Sequence, residues 1–459
     1  MVSMLGGGGL LLSLALLLGR KWLLRRRGAA AQMERTEQTW GCGFQAGSAR
    51  IQYTDASFSE PLARISPGHG LKVRRPMIEG LFPGRAGLSV TAPDRLRSGL
   101  FTPLFEAVER LCNACKIIQH GKIHLYILYI LASGGGPADM GAGRMSQNIS
   151  AYLVQLLLAL ALAPLLPGII NRIKAKTAGR RGKPLLQTYY DLARLLRKGE
   201  VISRTATWTF AAGPGVALAA TLCALALLPL GGAPSPLGFS GDFLLAAYLL
   251  GMGRFALILA ALDTGSSFEG MGASREAAFS ALAEPVLFLA FLVLTSLSLD
   301  LHHGLDPAAS FSLSGMFGGQ AAGAWLLGRA ELLLIPAVFF VLLLVENCRI
   351  PVDDPNTHLE LTMIHEAMVL DHSGPNLAMI IYGAALKLWF FAALIAGLLV
   401  PPLPLWQQAG LWLAVILGLA AVVGVVESVM ARLRLTRVPQ LLGGTAALAA
   451  LALILTQVR

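Results

Sequence analysis

The sequence has few charged residues for its length. Lys and Arg number 37 and Asp and Glu number 26 among 459 residues, so charged residues make up 14% of the chain, against 55% that are hydrophobic. A soluble protein of this length needs more charge to cover its surface. The composition therefore excludes an ordinary soluble enzyme and predicts that much apolar surface faces lipid.

Cysteine is also scarce, which limits the sites that the chain can build. The five cysteines, Cys42, Cys112, Cys115, Cys223 and Cys348, do not form a disulfide framework. Cys112 and Cys115 form a single CxxC pair, whereas a tetrahedral metal site needs two further ligands. The alternative for this pair is two half-buried helix cysteines. No iron–sulfur, haem or nicotinamide motif is present, so we predict no metal and no directly bound cofactor.

The basic residues are unevenly distributed along the chain. Residues 1–144 carry 18 basic and 9 acidic residues, a net charge of +9, whereas residues 145–459 carry 19 and 17, a net charge of +2. Aromatic residues are not interleaved with the basic ones on a soluble module, which argues against a nucleic-acid partner. The excess of positive charge instead indicates contact with a membrane surface.

The N-terminal part begins with an apolar run at residues 4–24 that ends in basic residues. Because those charges follow the apolar run, it is typical of a transmembrane helix with its C-terminal end inside rather than of a signal peptide. Residues 28–120 are polar and weakly periodic, which predicts that part of this segment is irregular coil and that 103–119 form an amphipathic helix.

A break in the pattern follows this polar segment. The apolar run at 122–133 is shorter than the roughly 20 residues needed to span a bilayer. Residues 134–148 are rich in glycine and predict a linker between two unrelated pieces. We therefore divide the chain into residues 1–133, the linker 134–148 and a membrane domain at 149–459.

The membrane domain shows regular long apolar runs. We predict eight transmembrane helices, at about 149–170, 205–228, 243–262, 280–299, 329–346, 376–400, 405–426 and 438–457. The predicted fold class is all-α, a polytopic membrane helix bundle with these eight helices, one N-terminal transmembrane helix and an irregular polar segment. The loop at 171–204 holds ten basic residues and the loops at 229–242, 300–328 and 401–404 hold none. The positive-inside rule therefore places the loops 171–204, 263–279, 347–375 and 427–437 in the cytoplasm.

Several ionisable residues lie within or near the ends of these apolar runs. They are Arg254, Asp263, Glu284, Glu331, Glu346 and Lys387. A charged side chain at the centre of a bilayer costs about 2.5–3.5 kcal/mol or more, so such residues face the bundle interior and pair. One hypothesis is a buried charge relay for protons. The other is that Arg254 and Lys387 only pair with Glu284 or Asp263 and fix helix packing.

The most informative loop is the acidic one that follows Glu346. Two prolines, Pro351 and Pro355, prevent a continuous helix through it, and five acidic residues follow Glu346. These features predict a rigid, folded loop, the alternative being a solvated loop whose acids cap helices. The pair His365-Glu366 is not a zinc-protease motif, because Val369 stands where the second histidine is required.

This loop resembles a known family. ENCRIPVDDPNTHLELTMIHEAMVLDHSGP at 346–375 is similar to the loop of the complex I membrane subunit that contacts the quinone-binding arm, and HLELTMIHEA is closer to group 4 nickel–iron hydrogenases of the formate hydrogenlyase and hydrogenase-4 type. Two further matches are the loop 178–201, with Gly182, Leu186, Gln187, Asp191 and Lys198 in matching places, and the stretch 265–285, with Glu284 at the family's membrane glutamate.

The N-terminal part carries a different resemblance. Residues 39–62 and 119–131 resemble the C-terminal region of the antiporter-like subunit of the same complexes. This resemblance is compatible with a fusion of adjacent genes, with a frameshift and with a misjoined gene model.

The resemblance implies a role in a redox complex rather than an active site of its own. The expected function is a membrane subunit that anchors a soluble electron-transfer module and links redox chemistry to proton translocation in the bacterial or archaeal cytoplasmic (inner) membrane. The expected partners are the soluble hydrogenase large and small subunits, an iron–sulfur subunit, antiporter-like membrane subunits and the lipid bilayer, with nickel–iron and iron–sulfur centres held by partners. The alternatives are the quinone-site subunit of complex I and a stand-alone ion transporter.

The expected residues fall into two groups. The proton pathway comprises Arg254, Asp263, Glu284, Glu346, Asp353, Glu360, Glu366 and Lys387. The partner interface comprises Arg180, Asp191, Lys198, Arg349, Asp354, His358 and His365.

Overall fold

The computed structural model is mostly helical and divides into two compact units. It describes residues 2–25, 34–37, 72–74, 89–91, 142–229, 234–301, 310–317, 329, 331–353, 363–401 and 403–457. One unit comprises Met1–Thr54 with Ser146–Arg459, and the other comprises Asp55–Met145. All of the candidate functional residues that the structure describes lie in the first unit.

The helices of the first unit follow the predicted apolar runs closely. In chain order they are α1 (Val2–Arg25), α2 (Ala142–Leu162), α3 (Leu165–Thr177), α4 (Gln187–Leu195), α5 (Trp208–Leu227), α6 (Asp242–Asp263), α7 (Ser267–Leu301), α8 (Leu313–Phe317), α9 (Glu331–Glu346), α10 (His365–Met368), α11 (Gly374–Leu399), α12 (Leu405–Val429) and α13 (Val438–Gln457). A 3-10 turn at Leu435–Arg437 leads into α13. Each of the eight predicted runs is mostly helical over its described residues, although 163–164 and 205–207 are not helical and α2 begins at Ala142, inside the predicted linker.

The first of the eight predicted membrane helices, at about 149–170, is a bent pair rather than one straight helix. The axes of Tyr152–Leu162 and Leu165–Thr177 differ by 46°. Pro164 stands at the break, and a proline inside a helix removes a backbone hydrogen bond and clashes with the preceding turn. The bend directs α3 away from the axis of α2.

Six described helices are long and apolar enough to cross a membrane, and the bent pair raises this number to seven. They are α5, α6, α7, α11, α12 and α13 with its leading turn. The described part of α9 has 16 residues, which is shorter than a full span. By length and hydropathy alone, the described residues therefore do not contain the eight membrane helices and one N-terminal membrane helix that the sequence predicts.

Burial places α11 at the centre of this bundle. Its apolar stretch is 78% buried, whereas that of α13 is 28% buried. Trp389, Phe390 and Phe391 of α11 are fully enclosed and belong to one continuous apolar core. Because α11 touches α5, α9 and α12, a charged residue on it lies between several helices.

Four short strands form two small sheets. β1 (Glu34–Glu37) pairs in parallel with β4 (Glu200–Ser203), and Glu34 lies opposite Glu200. β2 (Lys72–Arg74) pairs antiparallel with β3 (Ser89–Thr91) in the second unit. β1, β2 and β3 lie within residues 28–120, part of which was predicted to be irregular coil, and no strand was predicted there. The amphipathic helix predicted at 103–119 and the apolar run at 122–133 lie outside the described residues.

Candidate functional site

The site is built around the end of α9. Its last residue is Glu346, and the chain then reverses at Cys348, which has a positive φ of 48°. The amide of Arg349 donates to the carbonyl of Leu344 at 2.8 Å, which closes the helix with a left-handed turn. A residue other than glycine is uncommon in this conformation. The turn leaves Glu346 buried among α6, α9 and α11.

Two cations share the carboxylate of Glu346. Arg254 Nη2 on α6 donates to both oxygens, at 3.0 Å and 2.9 Å. Lys387 Nζ on α11 lies 3.0 Å from Glu346 Oε2. Only 6% of the Glu346 side chain is exposed, and the pairing compensates the loss of water around all three charges.

Two further carboxylates approach Arg254 from α7. Arg254 Nε lies 3.8 Å from Glu276 Oε1, and Arg254 Nη1 lies 3.7 Å from Glu284 Oε1. These distances exceed hydrogen-bond length, and neither nitrogen donates a hydrogen bond to a described residue. Arg254 therefore holds Glu346 tightly and two other carboxylates loosely. Such an arrangement permits the guanidinium to change its partner.

Two cavities lie beside the cluster of charges formed by Arg254, Glu276, Glu284, Glu346 and Lys387. A cavity of about 70 Å³ is lined by Arg254, Glu276, Glu346 and Lys387. A larger one of about 340 Å³ has a mixed lining whose charged and polar residues include Asn171, Thr188, Asp191, Arg349, Asp353 and Glu366. Five residues line both cavities, namely Asn347, Cys348, His365, Ile380 and Ala384. The two cavities are therefore adjacent, one beside the cluster and the other beside loops that carry residues of the predicted partner interface.

Cys348 stands at the boundary between the cavities. Its Sγ donates to Glu276 Oε2 at 3.7 Å. Burial, together with the nearby carboxylates of Glu276 and Asp353, raises the pKa of the Cys348 thiol well above its usual range. The thiol therefore stays protonated and remains a weak donor to Glu276.

The acidic loop is fastened to the turn that follows α12. Arg432 Nη2 lies 2.9 Å from Asp353 Oδ1, and the amide of Ile364 donates to Asp353 Oδ2 at 2.9 Å. The amide of Leu433 donates to the carbonyl of Pro351 at 2.8 Å. Asp353 is 1% exposed. The described ends of the loop are thus held in place by these contacts, whereas its middle, with Pro355, lies outside the described residues.

A second buried carboxylate, Glu427 on α12, braces the same loop. Lys174 Nζ on α3 lies 2.8 Å from Glu427 Oε2, and Arg349 Nη1 lies 3.5 Å from Glu427 Oε1. The Glu427 side chain is fully buried. Close packing brings these helices together, since a Cβ on Gly424 would lie 3.0 Å from Cβ of Ile173. Arg349, predicted at the partner interface, thus pairs inside the subunit.

The structure brings together four of the predicted pathway residues, namely Arg254, Glu284, Glu346 and Lys387. Of the two partners named for Arg254 and Lys387, Glu284 lies beside Arg254, whereas Asp263 does not lie in this cluster. The carboxylate of Asp263 instead accepts from the amides of Thr207 and Phe210, at 2.7 Å and 3.0 Å, and caps the first turn of α5. Asp263 is nine residues from Arg254 on α6, so it lies more than two helical turns away.

The remaining predicted residues are spread over the loops. Asp191 accepts from Gln187 at 3.0 Å and from Arg194 at 3.2 Å. Arg180 and Lys198 are exposed, and His365 and Glu366 are half-buried at the start of α10. Asp354, His358 and Glu360 lie outside the described residues.

Sequence reasoning missed several buried acids, among them Glu269, Glu276 and Glu427 around this site. Glu269 and Glu276 are on α7, where Glu269 accepts from Thr264 Oγ1 and, at 2.9 Å, from the amide of Asp371. The signal was present, because acidic residues at 269, 276 and 284 recur every seven or eight residues and return to one side of a helix. Glu427 stands near the end of an apolar run, and nothing in the sequence distinguishes it from a capping residue.

No group of three or more His, Cys, Asp or Glu side chains in the described part of the chain is placed to bind a metal ion. The expectation that metal centres belong to partner subunits stays a prediction.

The chain is similar in sequence to a known protein family and to two proteins of Escherichia coli. A family model described as NADH dehydrogenase matches residues 149–458. Hydrogenase-4 component C of Escherichia coli (strain K12) is 32% identical over 249 residues, which cover 54% of this chain and 74% of that protein. Formate hydrogenlyase subunit 4 of the same organism is 30% identical over 298 residues, which cover 63% of this chain and 92% of that protein.

A solved structure shares the fold. A chain of the membrane-bound sulfane sulfur reductase, described as an archaeal respiratory membrane complex, matches with a TM-score of 0.57 over 68% of this chain and 99% of that chain. The sequence identity is 19%, so this likeness concerns the fold alone.

Proposed function

This chain belongs to the NADH dehydrogenase family, and on that premise we propose that it is the membrane subunit of a respiratory or hydrogenase-type oxidoreductase complex. It anchors a soluble electron-transfer module and links redox chemistry to proton translocation. The observation that carries the proposal is the shared carboxylate of Glu346, held by Arg254 and Lys387 where two cavities meet. Buried charges at such a junction mark ion pathways in membrane proteins.

The proposed pathway begins at the larger cavity and ends in the bundle. Glu366 and Asp191 line the larger cavity, while Glu276 and Glu346 line the smaller one. A proton passing between them reaches carboxylates that compete for the guanidinium of Arg254. When one carboxylate gains a proton, the guanidinium turns to another, which couples protonation to side-chain position.

The proposed partners follow from the relatives. Hydrogenase-4 and formate hydrogenlyase are the systems named for the similar proteins. We propose nickel–iron and iron–sulfur centres in soluble partner subunits, antiporter-like neighbours in the membrane, and the cytoplasmic (inner) membrane of a bacterium or archaeon as the location. A quinone-site role is a second candidate, supported by the 340 Å³ cavity, whose size suits a small organic ligand.

Purification of the tagged chain from membranes of its own host tests this function. We expect the chain to bring down a nickel–iron large subunit and an iron–sulfur subunit, identified by mass spectrometry. Subunits of a NADH–quinone oxidoreductase in their place support the second candidate. A chain that purifies alone and transports ions in vesicles contradicts both.

We also propose that all eight helices of residues 145–459 cross the membrane with the basic loops in the cytoplasm. A cysteine at Tyr190, which is 60% exposed on α4, is expected to react only with reagents that reach the cytoplasm. A cysteine at Phe311, which is 41% exposed before α8, is expected to react with an impermeant maleimide added outside. The reason is the contrast between ten basic residues in one loop and none in the other. The opposite labelling pattern contradicts the topology.

Replacing Glu284 by glutamine is expected to weaken proton translocation while leaving the yield of complex nearly unchanged. The side chain of Glu284 is 42% exposed and lies 3.7 Å from Arg254, so loss of its charge is expected to change stability by less than about 1 kcal/mol. Glutamine keeps the volume and removes the titrating group. Complex yield and proton uptake by proteoliposomes are measured together. Unchanged proton movement at unchanged yield removes Glu284 from the pathway.

A further inference from the structure

The N-terminal helix α1 packs against α5 in the opposite direction. A Cβ on Gly9 would lie 3.5 Å from Cys223 Sγ, and a Cβ on Gly215 would lie 3.4 Å from Leu17 Cδ2. The contact advances eight residues along α1, from 9 to 17, while it retreats eight residues along α5, from 223 to 215. The two helices are therefore antiparallel along about two turns. Small residues at both contacts allow the backbones to approach closely.

An ion pair closes this contact at the C-terminal end of α1. Arg20 Nε donates to Glu200 Oε1 at 3.2 Å, and Arg20 Nη2 donates to Glu200 Oε2. The side chains of Arg20 and Glu200 are 6% and 1% exposed. A two-point contact between a guanidinium and a carboxylate fixes both distance and orientation. The segment that follows α1 is also held, because β1 pairs in parallel with β4, which contains Glu200.

Glu200 also caps the helix that carries Lys387. The amide of Asn376 donates to Glu200 Oε1 at 3.0 Å, and the amide of Val201 donates to Ser373 Oγ at 2.9 Å. Gly374 between them has a φ of 52°, and a Cβ there would lie 2.5 Å from the carbonyl oxygen of Gly199. The carboxylate of Glu200 therefore accepts hydrogen bonds from the first turn of α11 and from the guanidinium of Arg20 at the same time.

The opposite face of α1 is apolar and uncovered. Leu10, Leu11, Leu14 and Leu18 are 74%, 68%, 53% and 57% exposed. A row of exposed leucines opposite a packed face is typical of a helix that meets lipid on its outer side. Taken alone, α1 is not among the helices apolar enough to cross a membrane, and it carries Arg20 and Lys21 near its end. Pairing with Glu200 removes the main obstacle to its insertion, a buried cation without a counter-charge.

We propose that residues 2–25 form a transmembrane helix of the membrane domain, docked antiparallel on α5 and held there by the ion pair between Arg20 and Glu200. On this proposal, the N-terminal helix packs into the membrane domain as one of its helices.

A disulfide trap in the full chain tests the docking. Gly9→Cys places a thiol beside the native Cys223, whereas Gly8→Cys is the matched control because no atom lies within 4 Å of a Cβ at that position. A cleavable protease site is inserted near residue 138, and the cysteines at 42, 112 and 115 are changed to serine in all variants. Membranes are oxidised, and the protein is then cut at the inserted site. We expect at least about tenfold more disulfide-linked fragments from Gly9→Cys than from Gly8→Cys. Equal linkage, or none in either variant, overturns the docking.

The ion pair is tested in the same assay by charge removal. Arg20→Met is expected to lower the linked fraction several-fold, while Lys21→Met, at an exposed neighbour, leaves it unchanged. Adding Glu200→Gln to Arg20→Met is expected to restore much of the linkage, because neither partner is then left charged and buried. A linked fraction that does not respond to Arg20→Met overturns the role of the pair. Loss of protein in the single variant with recovery in the double variant supports it.

Discussion

Replacing Glu346 by glutamine is expected to reduce the free energy of unfolding of the membrane domain by about 3–5 kcal/mol, the usual effect of breaking a buried ion pair. Arg254 and Lys387 both lie within 3.0 Å of this carboxylate, and its side chain is 6% exposed. Glutamine retains the shape but leaves two buried cations with less negative charge nearby. The yield of folded protein in detergent and its thermal midpoint measure the effect.

A second substitution separates charge balance from shape. Adding Lys387→Met to Glu346→Gln removes one of the two cations, and Arg254 still faces Glu276 and Glu284. The double variant is therefore expected to recover part of the lost stability, a coupling of about 0.5–3 kcal/mol in the thermodynamic cycle. Additive losses from the two substitutions argue that the residues do not act on a shared charge. The variant Glu284→Gln is the control, since its carboxylate is partly exposed.

Replacing Glu427 by glutamine is expected to be nearly as severe, at about 3–5 kcal/mol, and to act on the loop instead of the cluster. Its fully buried carboxylate faces Lys174 at 2.8 Å and Arg349 at 3.5 Å, and so connects α3, α12 and the acidic loop. Loosening Arg349 is expected to displace the wall of the larger cavity that it lines. Thermal unfolding and recovery of soluble partners in pull-downs measure the two effects.

Ser428→Ala provides the matched control for this prediction. Ser428 is the exposed neighbour of Glu427, and it accepts from Thr177 Oγ1 at 2.8 Å and donates to the carbonyl of Gly424 at 2.6 Å. Loss of these bonds is expected to change stability by about 1 kcal/mol or less and to leave partner binding intact. A Glu427→Gln variant that resembles this control in both measurements contradicts the bracing role.

The helices were predictable because their signal is local. Long apolar runs bounded by glycine, proline or charge indicate where a membrane helix begins and ends, and each of the eight predicted runs is mostly helical over its described residues. The bend between α2 and α3 follows from Pro164, which stands inside a run that was predicted as one helix. The earlier start of α2 had no apolar signal, because residues 142–148 are small or polar.

The partners of the buried charges were not predictable in the same way. Arg254 and Glu346 are 92 residues apart, and their meeting depends on how α6, α9 and α11 rotate and pack. The sequence indicates that each charge needs a partner but carries no information on which one. Glu284 or Asp263 was therefore named as the partner, whereas in the structure Arg254 and Lys387 share Glu346. The parallel pairing of β1 with β4 was invisible for the same reason, since it joins four-residue segments far apart in the chain.

The ion pair that secures the N-terminal helix has a consequence for biosynthesis. Glu200 follows Arg20 by 180 residues. At translation rates of about 5–20 residues per second, the arginine waits roughly 10–40 s before its counter-charge is made. Throughout that interval the nascent helix lacks the partner that makes its burial favourable. We therefore expect the helix to be retained by the insertion machinery or at the lipid headgroups until Glu200 has been synthesised, so that translation speed affects the fraction of chains in which this helix docks.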